Sequence, residues 1–201
     1  MISIVVGWVA GVLVNYLADV LPVKRRLVRP FCLNCLAPQA WVKTLLWPRR
    51  CPQCGKRRAW RTWVVEAVFL AGFAWLWLLG TTVPLPPSRD LSCGSEILFR
   101  SVLLIYFGVV AIIDLEHRLI LHPVSLVGVG FGTVFGFWRH GLQANLFGGA
   151  VGFGSMLLLY GLGKLFAQGL SRLRKQAIEE EALGFGDVTL SGIVGLLLGW
   201  P

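Results

Sequence analysis

Ser101-Val-Leu-Leu-Ile-Tyr-Phe-Gly-Val-Val-Ala-Ile-Ile113 is an almost wholly apolar run that ends at an acidic residue, Asp114. A second acidic residue closes Gly184-Phe185-Gly186-Asp187, which leads into another apolar run. An ionisable group at membrane depth is costly, and such a residue is therefore a candidate functional residue. Two carboxylates that meet share a proton and can manage the attack of water on a substrate. Asp114 and Asp187 are accordingly the candidate catalytic residues.

The composition is that of a membrane protein. Of the 201 residues, 56% are hydrophobic and 14% are charged. Several runs approach the roughly 20 apolar residues that cross a bilayer, and they lack the alternation of barrel strands. We therefore predict an all-α, polytopic membrane protein with about six transmembrane helices. The predicted spans are Ile2–Leu21, Trp63–Leu79, Ile97–Ile113, Leu119–Trp138, Leu146–Phe166 and a sixth that begins near Val188.

Two of these spans are weaker than the rest. The fourth is interrupted near its start by His122-Pro123 and closed by Arg139. The sixth has only 14 residues from Val188 to Pro201, which reach about 21 Å at the helical rise per residue. The hydrocarbon core is about 30 Å thick. We therefore expect the natural chain to continue beyond Pro201 with further apolar sequence.

The net charge of +9 is unevenly distributed, since eleven of the 19 Lys and Arg residues lie from Lys24 to Arg61. Between two membrane spans, such a cluster indicates a cytoplasmic loop rather than a nucleic-acid surface. The N-terminus then lies outside the inner or plasma membrane, as does the loop Thr81–Glu96. The loop Gln168–Leu183 is cytoplasmic, and both aspartates come to the cytoplasmic face. We expect a lipid membrane and no nucleic acid among the partners.

Glycines recur every four residues inside the predicted spans, a spacing that lets helix backbones approach closely in lipid. We interpret them as packing positions rather than catalytic ones. They are Gly128, Gly132 and Gly136 in the fourth span, and Gly148 and Gly152 in the fifth.

The cytoplasmic loop carries two Cys-x-x-Cys pairs, Cys32 with Cys35 and Cys51 with Cys54. Their spacing is typical of a tetrahedral structural zinc site. Thiols stay reduced in the cytoplasm, which favours zinc over disulfides. Four protein ligands leave no open position, so we assign the zinc to structure and not to chemistry. Two redox dithiols are the alternative, and Cys93 is interpreted as free or paired between chains.

These motifs resemble those of one family. Gly184-Phe185-Gly186-Asp187 is similar to the GxGD signature of membrane aspartic proteases, and Ile113-Asp114-Leu115-Glu116-His117 resembles the first catalytic motif of type IV prepilin peptidases. The paired cysteine loop after one N-terminal span is also typical of that family. Further matching residues are Gly11, Asn15, Leu21 and Pro22 in the first span and Glu66 in the second.

The resemblance implies a membrane aspartic endopeptidase that cuts the basic leader of prepilins and pseudopilins at the cytoplasmic face. It implies Asp114 and Asp187 as the catalytic pair, and Cys32, Cys35, Cys51 and Cys54 as zinc ligands. Many members also methylate the new N-terminus with S-adenosylmethionine, which makes this a possible cofactor. We take residues 1–62 as a span plus zinc loop and residues 63–201 as a C-terminally truncated peptidase domain.

The sequence also departs from the family pattern. Thr189 stands where Lys is frequent, and Leu121-His122-Pro123 replaces the usual continuation of the first motif. In the first span, Val12-Leu13 and Val20 replace a common Ser-Phe and Arg. Because that segment is linked to methylation, methyltransferase activity is left open while proteolysis is retained.

Several polar residues can be interpreted either as ordinary solvated or packing residues or as functional ones. His117 is either solvated or close to the site, and Glu179, Glu180 and Glu181 are either a solvated run or an attraction for a basic leader. Asn15 and Asp19 share a helix face, where interhelical hydrogen bonding is favoured over a cofactor role.

Two other functions are compatible with the sequence. One is an intramembrane protease of the presenilin type, which cuts within a helix. The other is a non-catalytic membrane scaffold, whose zinc loop docks cytoplasmic proteins and whose aspartates serve packing. A substrate with a short basic leader ending in Gly distinguishes the prepilin peptidase from both.

The charge distribution gives a test of topology. A membrane-impermeant thiol label should react with Cys93 from outside the cell, whereas cysteines introduced at Glu116 and Glu180 should react only from the cytoplasmic side, because Lys and Arg concentrate on that side. Labelling of positions 116 and 180 from opposite sides would separate the two aspartates and contradict a shared site.

Overall fold

The computed structural model describes residues 2–41, 50–80, 93–117, 122–174 and 184–200. All the regular elements in these ranges are α-helices, apart from two isolated β-bridges. The fold is therefore all-α, as predicted. In chain order the helices are α1 (Ile2–Lys24), α2 (Arg61–Gly80), α3 (Cys93–His117), α4 (His122–His140), α5 (Leu142–Arg174) and α6 (Phe185–Leu198).

Four of the helices are long and apolar enough to cross a membrane, by length and composition. They correspond to the first, second, third and fifth predicted spans. The segments are Ser3–Lys24, Arg61–Leu78, Glu96–His117 and Leu142–Ala167. The fourth predicted span forms α4, which begins at His122 and ends in Arg139 and His140, and the sixth forms the short apolar helix α6.

Three helix boundaries differ from the sequence-based prediction. Helix α3 begins at Cys93, so this cysteine opens a helix and does not lie in a loop. Helix α5 runs on to Arg174, so the first part of the predicted loop Gln168–Leu183 is helical. Helix α6 begins at Phe185, three residues before Val188, near which the sixth span was predicted to begin. A helix can continue through polar residues at its ends. A prediction based on the apolar run alone therefore gives a helix that is too short.

The chain forms two compact units, Met1–Arg118 and Leu119–Pro201. The predicted division at residue 62 stays a prediction. In the first unit, α1 packs against α2 and α3. Gly7 lies so close to Phe73 that a Cβ on the glycine would be 2.9 Å from the Phe73 Cβ. Phe73 and Val14 are fully buried in this core.

In the second unit, α4 and α5 pack on α6 through the glycines that the sequence analysis assigned to packing. A Cβ on Gly132 would be 3.1 Å from the Leu196 Cβ, and one on Gly152 would be 2.5 Å from the carbonyl oxygen of Ser191. The Ser191 hydroxyl also donates a hydrogen bond to the Gly152 carbonyl at 2.8 Å. These contacts bring the α5 and α6 backbones together.

One buried amide joins α4, α5 and α6. Asn145 on α5 is fully buried, and its Nδ2 donates to the carbonyls of Gly132 at 3.0 Å and Leu196 at 2.7 Å. Backbone carbonyls of α4 and α6 are thereby held on one side chain. The second unit thus combines close glycine packing with a buried polar tie.

The glycine contacts make a matched pair of substitutions informative. Gly152→Ala should destabilise the protein by about 1–3 kcal/mol, because the new methyl overlaps the α6 backbone. Gly154→Ala on the same helix should be neutral or stabilising by up to about 1 kcal/mol, since nothing lies within 4 Å of its Cβ position. Unfolding in detergent micelles measures both. Equal stability of the two variants would contradict the packing described here.

Candidate active site and metal centre

The two Cys-x-x-Cys segments form turns of the same construction. In the first, the Cys32 N–H donates to the Ala37 carbonyl at 2.9 Å and the Leu36 N–H donates to the Cys32 carbonyl at 2.8 Å. In the second, the Cys51 N–H donates to Lys56 at 3.0 Å and the Gly55 N–H donates to Cys51 at 2.9 Å. Each turn is closed by an isolated β-bridge.

Each turn passes through a left-handed backbone conformation directly after its second cysteine. The residue there is Gly55 in one turn, with a φ of 68°, and Leu36 in the other, with a φ of 56°. Glycine adopts this region without steric cost, whereas a leucine does not. Leu36 could not be recognised as a turn position from the sequence, because leucine is not a residue type that favours this conformation.

The turns face one another and bring four sulfurs together. The Sγ atoms of Cys32 and Cys54 are 3.7 Å apart, and those of Cys35 and Cys51 are 3.6 Å apart. All four lie within 4.8 Å of one another. A tetrahedral zinc with bonds of about 2.3 Å has sulfur–sulfur edges of about 3.8 Å. The predicted ligand set is therefore assembled at distances that fit a structural metal ion such as zinc.

Local hydrogen bonding prepares part of the cluster for metal binding. Hydrogen bonds from the backbone N–H groups of Cys54 and Gln53 lower the pKa of the Cys51 thiol to about 6. The Ala37 N–H also lowers the pKa of Cys35, but burial and the neighbouring sulfurs outweigh it and raise that pKa to about 12. Like charges this close cannot all ionise without a cation. The thiolate is the form that binds metal, so the donor set matches a cationic partner.

Of the two candidate catalytic aspartates, Asp114 lies at the C-terminal end of a helix and Asp187 at the N-terminal end of another. Asp114 is exposed in the last turn of α3, directly after the buried Ile113. Asp187 is half-buried in the first turn of α6. Its N–H donates to the carbonyl of Gly184, which precedes the helix, at 3.1 Å. Asp114 belongs to the first unit and Asp187 to the second, so their pairing stays a prediction.

The position where the family frequently has Lys is occupied by a locally bonded hydroxyl. The Thr189 Oγ1 donates to the Gly186 carbonyl at 2.7 Å. This bond lies within the first turn of α6, beside Asp187. Phe185, in the same turn, makes an edge contact with Tyr160 of α5, with ring centroids 6.1 Å apart.

A buried polar network lies where α1, the cysteine loop and α2 meet. The Asn15 Nδ2 donates to the Thr62 carbonyl at 3.1 Å. The Asp19 carboxylate is 8% exposed and accepts hydrogen bonds from Arg58, at 2.6 Å, and from Arg61. Interhelical hydrogen bonding by Asn15 and Asp19 is thus what the structure shows.

The sequence did not predict that Arg58 and Arg61 take part in this network, nor that Glu116 on α3 accepts a hydrogen bond from Arg61. Arg61 also pairs with Glu116. The first motif places Glu116 two positions after Asp114, but nothing in the sequence marks its partner. A lone arginine at the start of an apolar run is a weak signal of such a pair.

The remaining candidates that the structure describes are not brought together in one site. His117 is exposed in the last turn of α3. Glu179, Glu180 and Glu181 lie outside the described residues. Glu66 is 5% exposed, and Gly11 packs on it so closely that a Cβ would be 3.0 Å from its Cα.

A comparison with known families assigns the chain. The family model described as the type IV leader peptidase family matches residues 101–201, half of the chain. That segment contains both Asp114 and Asp187. No curated protein and no solved structure matches. With its all-α fold, its apolar helices and a cysteine cluster fit for a structural metal, the chain belongs to the type IV leader peptidase family, a family of membrane proteases.

Proposed function

We propose that this protein is an aspartic endopeptidase that cleaves the basic leader of type IV prepilins or pseudopilins at the cytoplasmic face of the membrane. Asp114 and Asp187 form its catalytic pair. The observation that carries the proposal is the family match, which spans both aspartates. Each aspartate also lies in a terminal turn of an apolar helix, where a carboxylate reaches water more readily than at mid-span.

We further propose different roles for the two carboxylates, because they lie at opposite helix ends. The first turn of a helix is a favourable place for a negative charge, and the last turn is not. We therefore give Asp187 the ionised role and Asp114 the protonated role. Asp187 takes a proton from water as the water oxygen bonds to the scissile carbonyl carbon. Asp114 gives its proton to the carbonyl oxygen, which becomes a hydroxyl.

The second step returns both groups to their starting states. Asp187 passes its proton to the leaving nitrogen as the carbon–nitrogen bond breaks. Asp114 takes a proton back from one hydroxyl, and the carbonyl reforms as a carboxylic acid. The net reaction consumes one water and one peptide bond, and proton transfer by positioned carboxylates is typically worth about 10²–10⁴-fold in rate.

S-adenosylmethionine is left out of the proposed reaction. The polar residues considered for it, Asn15 and Asp19, are engaged with Thr62, Arg58 and Arg61. The first span also carries Val12, Leu13 and Val20 at positions where the methylating pattern differs. Because Asp19 is held by two arginines and the first span departs from the methylating pattern, we propose cleavage alone.

The four cysteines would hold zinc as a closed structural centre. The ion supplies crosslinking of the two turns and no activated water, because all four positions are filled by protein. It fixes the loop that follows α1 and precedes α2. We assign the loop to stability and to the docking of substrate on the cytoplasmic side.

Substitution of the aspartates tests the proposed mechanism. Asp114→Asn and Asp187→Asn should each lower the rate of leader cleavage by about 10²–10⁴-fold, because each group has a distinct proton to move. The double variant should be no slower than the slower single variant, since the pair acts as a unit. Cleavage of a basic-leader substrate in reconstituted membranes is measured by mass spectrometry of the products.

The matched control is Asp90→Asn, the same substitution in the predicted outer loop, which should leave cleavage unchanged. Near-normal cleavage by either active-site variant would rule out the aspartic mechanism. A cut inside the apolar helix of the substrate would favour the presenilin-type alternative. Absence of any cleavage by the unsubstituted protein, with a correctly inserted chain, would favour the scaffold.

Metal analysis tests the cysteine centre. The purified protein should contain about one zinc per chain, and Cys32→Ser with Cys35→Ser should abolish it and destabilise the loop. Cys93→Ser is the matched control and should retain the metal. Iron in place of zinc, or a fully folded and equally active metal-free protein, would contradict the structural zinc centre.

A further inference from the structure

Arg61 connects the three helices that the structure describes in the first unit, α1, α2 and α3, through a single side chain. It is the first residue of α2. Its Nη1 donates to Glu116 Oε2 in the last turn of α3, and its Nη2 donates to Asp19 Oδ1 near the end of α1. We call these three residues the Arg61 clamp.

The clamp is built as a partly buried, charge-assisted network. The side chains of Asp19, Arg61 and Glu116 are 8%, 21% and 34% exposed. A second arginine, Arg58, occupies the other oxygen of Asp19. The planar guanidinium can reach two carboxylates at once, which the single ammonium of lysine does not reproduce. Removal of Arg61 would leave Glu116 without this partner and Asp19 with Arg58 alone.

The position of Glu116 relative to Asp114 gives the clamp a functional meaning. The two residues are two positions apart in α3, so their side chains leave the helix roughly 200° apart. The last four carbonyls of a helix have no partner within it, and the end frays readily. A tie on Glu116 therefore holds this turn from one side while Asp114 projects from the other.

We propose that Arg61 is a positioning residue for the reaction, which fixes the last turn of α3 and through it the orientation of Asp114. The inference rests on the catalytic role proposed for Asp114. It assigns to α1 and α2 a part in catalysis, although neither helix carries one of the catalytic aspartates. A merely structural ion pair would instead affect the amount of folded protein and leave the rate per folded molecule unchanged.

The first measurement is independent of activity. Hydrogen–deuterium exchange of the amides of residues 112–117 should rise at least several-fold in Arg61→Gln and in Glu116→Gln. Arg100→Gln is the matched control, because Arg100 pairs with Glu96 four residues earlier within α3 at 3.5 Å and takes no part in the clamp. Exchange at residues 112–117 should be unchanged in this control.

The second measurement separates kcat from KM on the reconstituted protein. Arg61→Gln and Glu116→Gln should lower kcat by about 10- to 100-fold, since a small misplacement of a reacting group costs that much. KM should change little, because the clamp is not proposed to touch substrate. Arg61→Lys should fall between the unsubstituted protein and Arg61→Gln. Arg100→Gln should have normal kcat and KM.

A double-mutant cycle completes the test. Arg61→Gln combined with Glu116→Gln should be little slower than Arg61→Gln alone, because both remove one interaction, whereas Arg61→Gln with Arg100→Gln should be additive. If Arg61→Gln does not fold, the more exposed Glu116→Gln carries the comparison.

The possible failures are distinct. Raised exchange with a normal kcat would show a structural tie and overturn the positioning role. Unchanged exchange at residues 112–117 together with an unchanged kcat would show that the Arg61 clamp does not stabilise the last turn of α3. If Asp114→Asn cleaves normally, the proposed function fails instead, and the exchange data still report on the clamp.

Discussion

A few buried polar side chains tie the apolar helices of both units together through hydrogen bonds between segments that are distant in sequence. Lipid offers no hydrogen bonds, so an unpaired buried group costs several kcal/mol. Asp19 meets two arginines, and the Nδ2 atoms of Asn15 and Asn145 donate to backbone carbonyls of other segments. Each tie joins elements that are distant in sequence. These bonds fix which helix faces meet, although the Oδ1 atoms of Asn15 and Asn145 have no hydrogen-bond partner among the described residues.

Much of the fold could be predicted because it depends on local patterns. Apolar runs of sufficient length specify α1, α2, α3 and α5, and the spacing of the four cysteines specifies a metal site. Glycines at intervals of four predicted the packing surfaces that face α6. Helix ends were less predictable, since the polar first and last turns of α3 and α5 resemble loop sequence. Composition therefore gives the existence of a helix more securely than its length.

The candidate site was only partly predictable for a different reason. Asp114 and Asp187 stand out because an acidic residue beside an apolar run is unusual. Arg61 and Glu116 do not stand out, because a charged residue at a helix end is ordinary and its partner lies far away in the sequence. The left-handed conformation at Leu36 likewise has no sequence signal. Ion pairs between residues distant in sequence, and unusual backbone conformations, cannot be predicted from the type of a single residue.

The length of α5 links the second unit to the thickness of the bilayer. Its apolar segment has 26 residues and is about 39 Å long, which exceeds the roughly 30 Å hydrocarbon core. A helix of that length tilts or emerges from the core. Because α5 and α6 are in backbone contact at Gly152 and Ser191, a tilt of α5 carries α6 with it. A thicker membrane would draw the long helix more upright, and α6 would turn with it.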